Sequence, residues 1–469
     1  MSKYFGTNGV RGKFEELNPL LTMKLAQAIG IYLNRGTVAG QLVPLTSSLD
    51  TVLGRFATTV LVGRDGRLTG DCLKYAVFSG LQSVGCKVID LGMVSSPTAE
   101  FMVKKLSADG LIVITASHNP PEWNALKVVD GNGIAISREE GEKIEIMLDK
   151  IKTVSWDKVS SVESYFSATV DHTAAILASV DVAKTRKRAP KVIIDCGNAM
   201  ASLIAPKLLQ ELGCSVISLN STIDGHFPGR GSEPTKDSLV QLIDSVKLNN
   251  ADLGMAWDGD GDRIVLIDDK GEFIVGDKVF ALSVLFALKT KKGSVVTTVA
   301  TSKAAEDIAT KFGMKTYYTK IGAPYLCQEL LERNAVIAGE EVGGVIWPEV
   351  SLAKDGFLTA AKMIELLAES GKKLSVILKE IPQYFNEKTK IAANDEQKMK
   401  IVRSILDYAK KNKFNFIDID GVRINFDDSW VIVRASGTEN YVRVFAEAKT
   451  QDKAKKLMEE YVKLAETFR

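Results

Sequence analysis

The chain has 469 residues, of which 45% are hydrophobic and 25% charged, enough apolar material for cores of ordinary size and about three domains by length. With 60 basic and 58 acidic residues the net charge is +2, which argues against a general nucleic-acid or membrane-surface binder.

The N-terminus, Met1-Ser2-Lys3-Tyr4-Phe5-Gly6, lacks the apolar segment of a secretory signal. The longest apolar stretch, residues 279–288, falls well short of the roughly 20 residues that a membrane span takes. A cytoplasmic protein is therefore expected. Residues 36–58 fit no element cleanly and read as an inserted loop. A module then recurs three times: a β-branched strand, a loop, an amphipathic helix, a glycine, and a second strand. The copies run through strand 59–63, helix 72–84, Gly85 and strand 86–90; strand 191–195, helix 201–212, Gly213 and strand 214–218; and strand 294–297, helix 303–312, Gly313 and strand 314–318. Each glycine suits a helix end that needs a left-handed backbone. Strand–helix–strand units of this length are crossovers that feed a largely parallel sheet. The basic run Lys184, Arg186, Lys187, Arg188 reads as a solvated linker.

The C-terminal part differs. A helix at 396–411 precedes short strands at 416–418, 422–424, 430–433 and 441–445, and a charged helix at 453–468 follows. This pattern predicts an α+β unit after three related α/β domains, with the chain divided as 1–165, 166–270, 271–385 and 386–469. Cys72, Cys86, Cys196, Cys214 and Cys327 are odd in number and show no metal-ligand spacing, so reduced, buried thiols are expected. His172 and His226 are isolated and read as structural.

Four loops carry chemistry-bearing residues. Thr115-Ala116-Ser117-His118-Asn119-Pro120-Pro121 follows the apolar run Leu111-Ile112-Val113-Ile114, and the carboxyl end of a buried strand is where α/β folds place ligand sites. Ser117 is its candidate nucleophile. A Ser117–His118 hydrolase pair is disfavoured, because neighbours in an extended segment face opposite ways and no Gly-x-Ser-x-Gly elbow exists. A plain turn is the alternative.

Residues 258–263 read Asp-Gly-Asp-Gly-Asp-Arg between two apolar runs. Like charges so close repel, and a hard divalent cation such as Mg²⁺ resolves the conflict. A calcium loop would want Gly sixth and Glu twelfth, where Arg263 and Asp269 stand. A strand–loop–strand Mg²⁺ site fits better, with a solvated acidic turn as the alternative. If Ser117 carried a phosphoryl group, its oxygens would complete the cation's shell and Arg263 would pair with them.

The third loop, Gly339-Glu340-Glu341-Val342-Gly343-Gly344, suits hydrogen bonding to vicinal sugar hydroxyls, or is an exposed acidic turn. The fourth, Arg434-Ala435-Ser436-Gly437-Thr438-Glu439-Asn440, combines a guanidinium, hydroxyls and glycine-exposed backbone N–H groups into a phosphate cradle, or is a hairpin turn.

Together, in this order, the four loops and the opening Tyr4-Phe5-Gly6-Thr7-Asn8-Gly9-Val10-Arg11-Gly12 resemble the α-D-phosphohexomutase superfamily, and the resemblance spans essentially the whole chain. It implies three similar α/β domains and a fourth like the TATA-binding-protein fold, around a central cleft. It also implies that hexose 1-phosphate and hexose 6-phosphate are interconverted through a phosphoserine and a hexose 1,6-bisphosphate. Ser117 would be that phosphoserine, and Asp258, Asp260 and Asp262 would hold Mg²⁺ together with its phosphate. Arg263 would contact the phosphoserine. Lys127 in Asn124-Ala125-Leu126-Lys127 aligns with the family's general acid/base, and Arg11 with an assisting arginine. His118 and Asn119 would line the reacting centre. Lys320 and Glu340 would orient the sugar. Arg434, Ser436, Gly437 and Thr438 would hold the phosphate that is not reacting. A lysine base needs a lowered pKa, which a cationic, partly desolvated cleft would provide.

The sequence departs from the family pattern in places. Val342 and Gly344 replace a serine and a histidine common in the sugar loop, and Asn440 follows Glu439 where proline is frequent. The opening Phe-Gly-Thr and the Arg-Ala-Ser-Gly-Thr-Glu loop lean toward the phosphoglucosamine mutases of the superfamily. A phosphomannomutase/phosphoglucomutase of relaxed sugar choice is the alternative, and a non-catalytic sugar-phosphate sensor is a further one. Phosphosugars are the expected partners, with no nucleic acid and no membrane.

Overall fold

A computed structural model of the chain describes residues 4–6, 9–34, 37–38, 41–42, 58–437 and 439–469. It forms two compact units, one of residues 1–274 with 344–376, the other of 275–343 with 377–469.

In the first unit a seven-stranded sheet runs in the order Phe5–Gly6, Gly9–Lys13, Trp123–Asp130, Gly110–Ile114, Thr59–Arg64, Lys87–Met93, Val162–Ser164. Thr59–Arg64 pairs in parallel with Lys87–Met93 and with Gly110–Ile114, and the first crossover helix is Gly70–Ser83. Leu25, Ile29, Val60, Val62, Leu73, Val77 and Leu81 build the core on one face of this sheet. Gly110–Ile114 turns back antiparallel onto Trp123–Asp130, so the Ser117 loop closes a hairpin at the carboxyl end of a wholly buried strand. The register sets Lys127 opposite Val113 and Arg11 opposite Ala125. Side chains alternate along a strand and cross-strand partners share a face, so Arg11 and Lys127 emerge on the same side of the sheet.

A second sheet of this unit has the order Ser215–Leu219, Lys191–Asp195, Leu253–Trp257, Ile264–Ile267, Phe273–Ile274. Its first three strands are parallel. Leu253–Trp257 and Ile264–Ile267 are antiparallel, so the Asp loop is also a hairpin connection. Gly85, Gly213 and Gly313, one per repeat, all have positive φ, at 84°, 85° and 71°.

The basic run is not a linker. It is the helix Val182–Arg188, capped by the Asp181 side chain and packed on the helix Gly356–Ser370. Three of its four charges are paired, Lys184 with Asp181 and Glu369, Arg186 with Glu211, and Arg188 with Asp252. Apart from Asp181, those acids lie far off in sequence, so the run looks largely unpartnered until folded. Of the 36–58 segment, Thr37–Val38 and Gln41–Leu42 form a small antiparallel ladder; residues 43–57 lie outside the described residues.

In the second unit Thr316–Thr319, Val295–Thr298 and Ile337–Gly339 are adjacent parallel strands. The α+β part is a five-stranded antiparallel sheet ordered Phe385–Ala392, Tyr441–Ala448, Ser429–Ala435, Val422–Asn425, Asn415–Ile417, with the helices Asp395–Lys411 and Gln451–Phe468 sharing its core. The edge strand Phe385–Ala392 was not expected. Nearly all of it faces solvent, so it carries no apolar alternation, and its backbone pairing to Tyr441–Ala448 defines it. Four cysteines are buried free thiols, but Cys72 is exposed on the first turn of Gly70–Ser83. Among the described residues no helix is long and apolar enough to cross a membrane.

Candidate active site

Ser117 adopts φ 51°, a left-handed conformation that costs a non-glycine residue energy and persists only when surroundings enforce it. The enforcement comes from Arg67. Its guanidinium is 1% exposed, pairs with Asp65 at 3.1 Å, and donates to the carbonyls of Ser117 (3.0 Å), Asn119 (2.7 Å), Pro120 (2.5 Å) and Trp123 (3.1 Å). Ser232 Oγ bonds the carbonyls of His118 and Asn119 from the second sheet's side. The loop is thus bolted down from within, and Ser117 Oγ donates to Asp258 Oδ2 at 2.6 Å.

The Asp loop is held just as firmly. Three segments that begin helices donate backbone N–H groups to consecutive carbonyls: Met200 to Gly259, Ser96 to Asp260, and Gly356 to Gly261. Gly259 lies so close to the Ser117 carbonyl that a Cβ would overlap it, which is why a side chain is missing there. Helix starts carry partial positive charge and suit a neighbouring anionic loop.

Asp258, Asp260 and Asp262 offer ligand oxygens that all lie within 4.8 Å of one another. Asp260 Oδ2 takes the Lys127 ammonium at 2.5 Å and the Ser96 hydroxyl at 2.5 Å. Asp262 Oδ2 takes Lys354 at 3.3 Å and Lys127 at 3.4 Å. Asp260 Oδ1 and Asp262 Oδ1 are buried and accept no hydrogen bond. Burial, with the charges of Asp262 and Asp260, pushes the Asp258 carboxyl well above its ordinary range. Burial also works against Asp260 and Asp262, but Lys127 on the first and Lys354, Lys127 and Arg263 on the second outweigh it and hold both low. Buried oxygens that accept no hydrogen bond, Asp262 Oδ1 having only Arg263 Nε at 3.6 Å, and a carboxylate resisting ionisation are what a hard divalent cation would satisfy, so the residues fit Mg²⁺.

Two expectations about protons are corrected. Burial pulls the Lys127 amine down, yet Asp260, Asp262 and Glu100 together raise it above its ordinary value; the surroundings are anionic at this atom, not cationic. His118 was expected to face away from Ser117, but the left-handed turn brings its Nδ1 to 3.4 Å from Ser117 Oγ. It is still a poor base. Burial, Arg263 and Arg11 lower it to about 3, and Arg263 Nη1, which can only donate, lies 3.2 Å from the same nitrogen. Arg11 Nη1 donates to Asn119 Oδ1 at 2.7 Å. Ser117, His118, Asn119, Arg11, Lys127, the three aspartates and Arg263 therefore converge within the first unit.

The remaining expected residues belong to the second unit. Glu340 is 5% exposed at the end of Ile337–Gly339, and Val342 is 38% exposed. Gly343, at φ 87°, turns the loop beside Gly276. Lys320 lies over the Tyr325 ring at 5.2 Å. Arg434 meets Asp420 with one nitrogen near both carboxylate oxygens, at 3.3 and 3.1 Å. Asp420 also accepts from the backbone of Ile321, joining the Lys320 loop to the Arg434 loop. Ser436 is buried and Gly437 exposed; Thr438 lies outside the described residues. The buried Lys398 ammonium donates to the carbonyls of Ser436 and Glu439.

Sequence reasoning missed Arg67, Ser96, Ser232, Lys354, Lys398 and Asp420. Arg67 had a signal, since Arg64-Asp65-Gly66-Arg67 follows a buried strand. The others act through contacts distant in sequence and had none.

Comparison with known proteins gives one answer along the chain. The Phosphoglucomutase/phosphomannomutase alpha/beta/alpha domains I, II and III match residues 2–155, 170–271 and 275–385, and the C-terminal domain of that family matches 386–464. A phosphoglucomutase/phosphomannomutase of Thermococcus kodakarensis is 41% identical over 99% of this chain and 99% of its own. A phosphoglucosamine/phosphogalactosamine mutase of Sulfurisphaera tokodaii is 35% identical over 99% of this chain and 100% of its own. Among solved structures, a Phosphoglucomutase/phosphomannomutase family protein of Burkholderia thailandensis superposes with a TM-score of 0.84 at 25% identity, covering 98% of this chain and 96% of that one. The N-acetylphosphoglucosamine mutase of Aspergillus fumigatus, solved with GlcNAc-6P and magnesium, shares the fold at a TM-score of 0.56 and 14% identity, over 95% of this chain and 97% of that one. A serine set on a carboxylate cluster, in a chain matched end to end by these domains, makes this protein a member of the α-D-phosphohexomutase superfamily, a phosphosugar isomerase.

Proposed function

We propose that this phosphohexomutase carries its phosphoryl group on Ser117 and acts chiefly on glucosamine phosphates. The observation that carries the first part is the 2.6 Å bond from Ser117 Oγ to Asp258 inside a buried cluster that also holds Arg263, Arg11 and Lys127. In this reading the sugar O6 of a hexose 1-phosphate attacks the phosphorus, the bond to Ser117 Oγ breaks, and a hexose 1,6-bisphosphate results. The C1 phosphate then returns to Ser117 and the 6-phosphate leaves.

Phosphoryl transfer depends on positioning and charge neutralisation. Arg263 and Arg11 supply fixed positive charge. Asp258, Asp260 and Asp262 would hold Mg²⁺ with a phosphoserine oxygen, and the cation would neutralise charge on the transferring group. Lys127 moves the proton at the sugar hydroxyl. Asp260 and Asp262 hold its proton tightly, and would do so less once shared with a cation. His118, kept neutral, and Asn119, tied to Arg11, line the reacting atoms. Glu340 and Lys320 orient the sugar, and Arg434, Ser436, Gly437 and Thr438 grip the second phosphate, for which Asp420 is a carboxylate stand-in on Arg434.

Intact mass tests the carrier. A sub-population heavier by one phosphoryl group, mapping to Ser117 and absent from Ser117→Ala, is expected; its persistent absence after incubation with hexose 1,6-bisphosphate would refute it. The glucosamine preference is supported by relatives named for that sugar. Val342, half exposed and without a hydrogen-bonding group, together with the Thermococcus relative's name, favours a second reading of relaxed choice among glucose and mannose phosphates. Rates on glucosamine, mannose, glucose and N-acetylglucosamine 1-phosphates decide, a faster mannose or glucose rate selecting the second.

A further inference from the structure

His172 has no place in the chemistry above, yet it is fully buried and both ring nitrogens are engaged. Nδ1 lies 3.0 Å from Thr98 Oγ1 and Nε2 lies 2.9 Å from Asp355 Oδ2. Phe101 stacks on the ring at 5.1 Å. Each partner stands at the start of a helix. Thr98 is tied to Ser95, the cap of Ser96–Lys105, by its backbone N–H and its hydroxyl. Asp355 caps Gly356–Ser370, its Oδ1 accepting from Phe357 and Leu358.

Those two helix starts are two of the three that grip the Asp loop. Ser96 donates its N–H to the Asp260 carbonyl and its hydroxyl to Asp260 Oδ2 at 2.5 Å. Beside Asp355, Gly356 donates its N–H to the Gly261 carbonyl, and Lys354 reaches Asp262 Oδ2 at 3.3 Å. One imidazole therefore spans the two arms that orient Asp260 and Asp262, leaving in each carboxylate an oxygen without a hydrogen bond. We infer that His172 is a positioning residue for the divalent-cation centre, acting through Thr98 and Asp355 to fix the angle at which Asp260 and Asp262 present the oxygens that accept no hydrogen bond. The inference rests on the reading of the Asp loop as that centre.

Groups that orient metal ligands without touching the metal typically alter affinity ten- to a hundred-fold when removed. The test is direct Mn²⁺ binding to the purified full chain, followed by electron paramagnetic resonance, with no substrate present. His172→Phe keeps the ring stacked on Phe101 and deletes both polar contacts. Thr98→Val deletes one arm with little change in volume. Both are expected to weaken Mn²⁺ binding by about ten-fold or more while the far-ultraviolet spectrum is unchanged. Unchanged or tighter binding in the folded variants, with only the melting temperature lowered, overturns the inference; if His172→Phe does not fold, Thr98→Val decides by the same criterion. Asp260→Asn separates this from failure of the underlying reading. If the unaltered chain takes up no Mn²⁺, or Asp260→Asn takes up as much, the Asp loop is not the centre and the inference falls with it.

Discussion

The loops at 258–263 and 434–440 are built to one recipe, a charged, glycine-bearing connection between two apolar antiparallel strands. They end in opposite circumstances. In the first, Asp258 and Asp260 are fully buried and Asp262 is 6% exposed, and three successive carbonyls are held by N–H groups from elsewhere in the chain. In the second, Gly437, Glu439 and Asn440 are exposed, and from outside the loop the Lys398 ammonium bonds the carbonyls of Ser436 and Glu439 and the Ala393 N–H bonds that of Asn440. The difference matches the tasks proposed for them. A loop that must neutralise charge as a bond breaks gains from fixed geometry, whereas a loop that must take up and release a phosphate needs access to solvent.

That contrast makes substitutions separable by which kinetic constant they move. The largest effect is expected from Lys127→Met, which removes the proton carrier while keeping its length. kcat should fall by about a thousand-fold with KM for the phosphosugar little changed, and full activity would remove Lys127 from the chemistry. Next, Arg67→Met should cost about 3–5 kcal/mol in chemical unfolding, because Asp65 and the loop carbonyls lose their buried partner; a cost below 1 kcal/mol would mean that the Ser117 turn holds itself. Arg434→Lys keeps the charge but loses the planar fork, so KM should rise roughly ten-fold with kcat nearly constant. A fall in kcat alone would erase the distinction between the loops.

The smallest effect concerns pH. Burial first, then Glu447 and Glu341, raise Asp277 to about 8 against the pull of Lys388. The folded state thus keeps a proton that the unfolded chain releases near pH 4. Stability from this group is complete below the unfolded value and is lost as pH rises toward 8. Asp277→Asn should therefore gain on the unaltered chain by on the order of 1 kcal/mol between pH 5 and pH 6. A gap that stays constant with pH would show that Asp277 is ionised throughout.

What the sequence reveals follows the same divide. The repeats are legible because β-branched runs and helix-ending glycines recur at fixed offsets, and Gly85, Gly213 and Gly313 all take the left-handed angle. The Asp loop and Ser117 are legible because their residue types have little reason to occur there otherwise. Lys354, Ser96 and His172 are not, since an isolated lysine, serine or histidine acquires meaning only from what folding sets against it. The proton balance at Lys127 is illegible for the same reason, since only folding sets Asp260 and Asp262 against the amine. The solvent-facing edge strand Phe385–Ala392 escaped because backbone pairing leaves no mark on side-chain pattern.

The three helix starts that hold the Asp loop have a consequence in time. Ser96 and Asp260 are 164 residues apart in sequence, and the contacts from Met200 and Gly356 come from two further segments. Closing such long loops costs entropy before any contact repays it, and folds rich in them form slowly. The local hairpin 253–267 can form early, but its carbonyls are secured only when distant stretches have arrived. In refolding from denaturant, divalent-ion uptake should therefore lag behind recovery of the far-ultraviolet signal, and competence for chemistry should be among the last properties the chain regains.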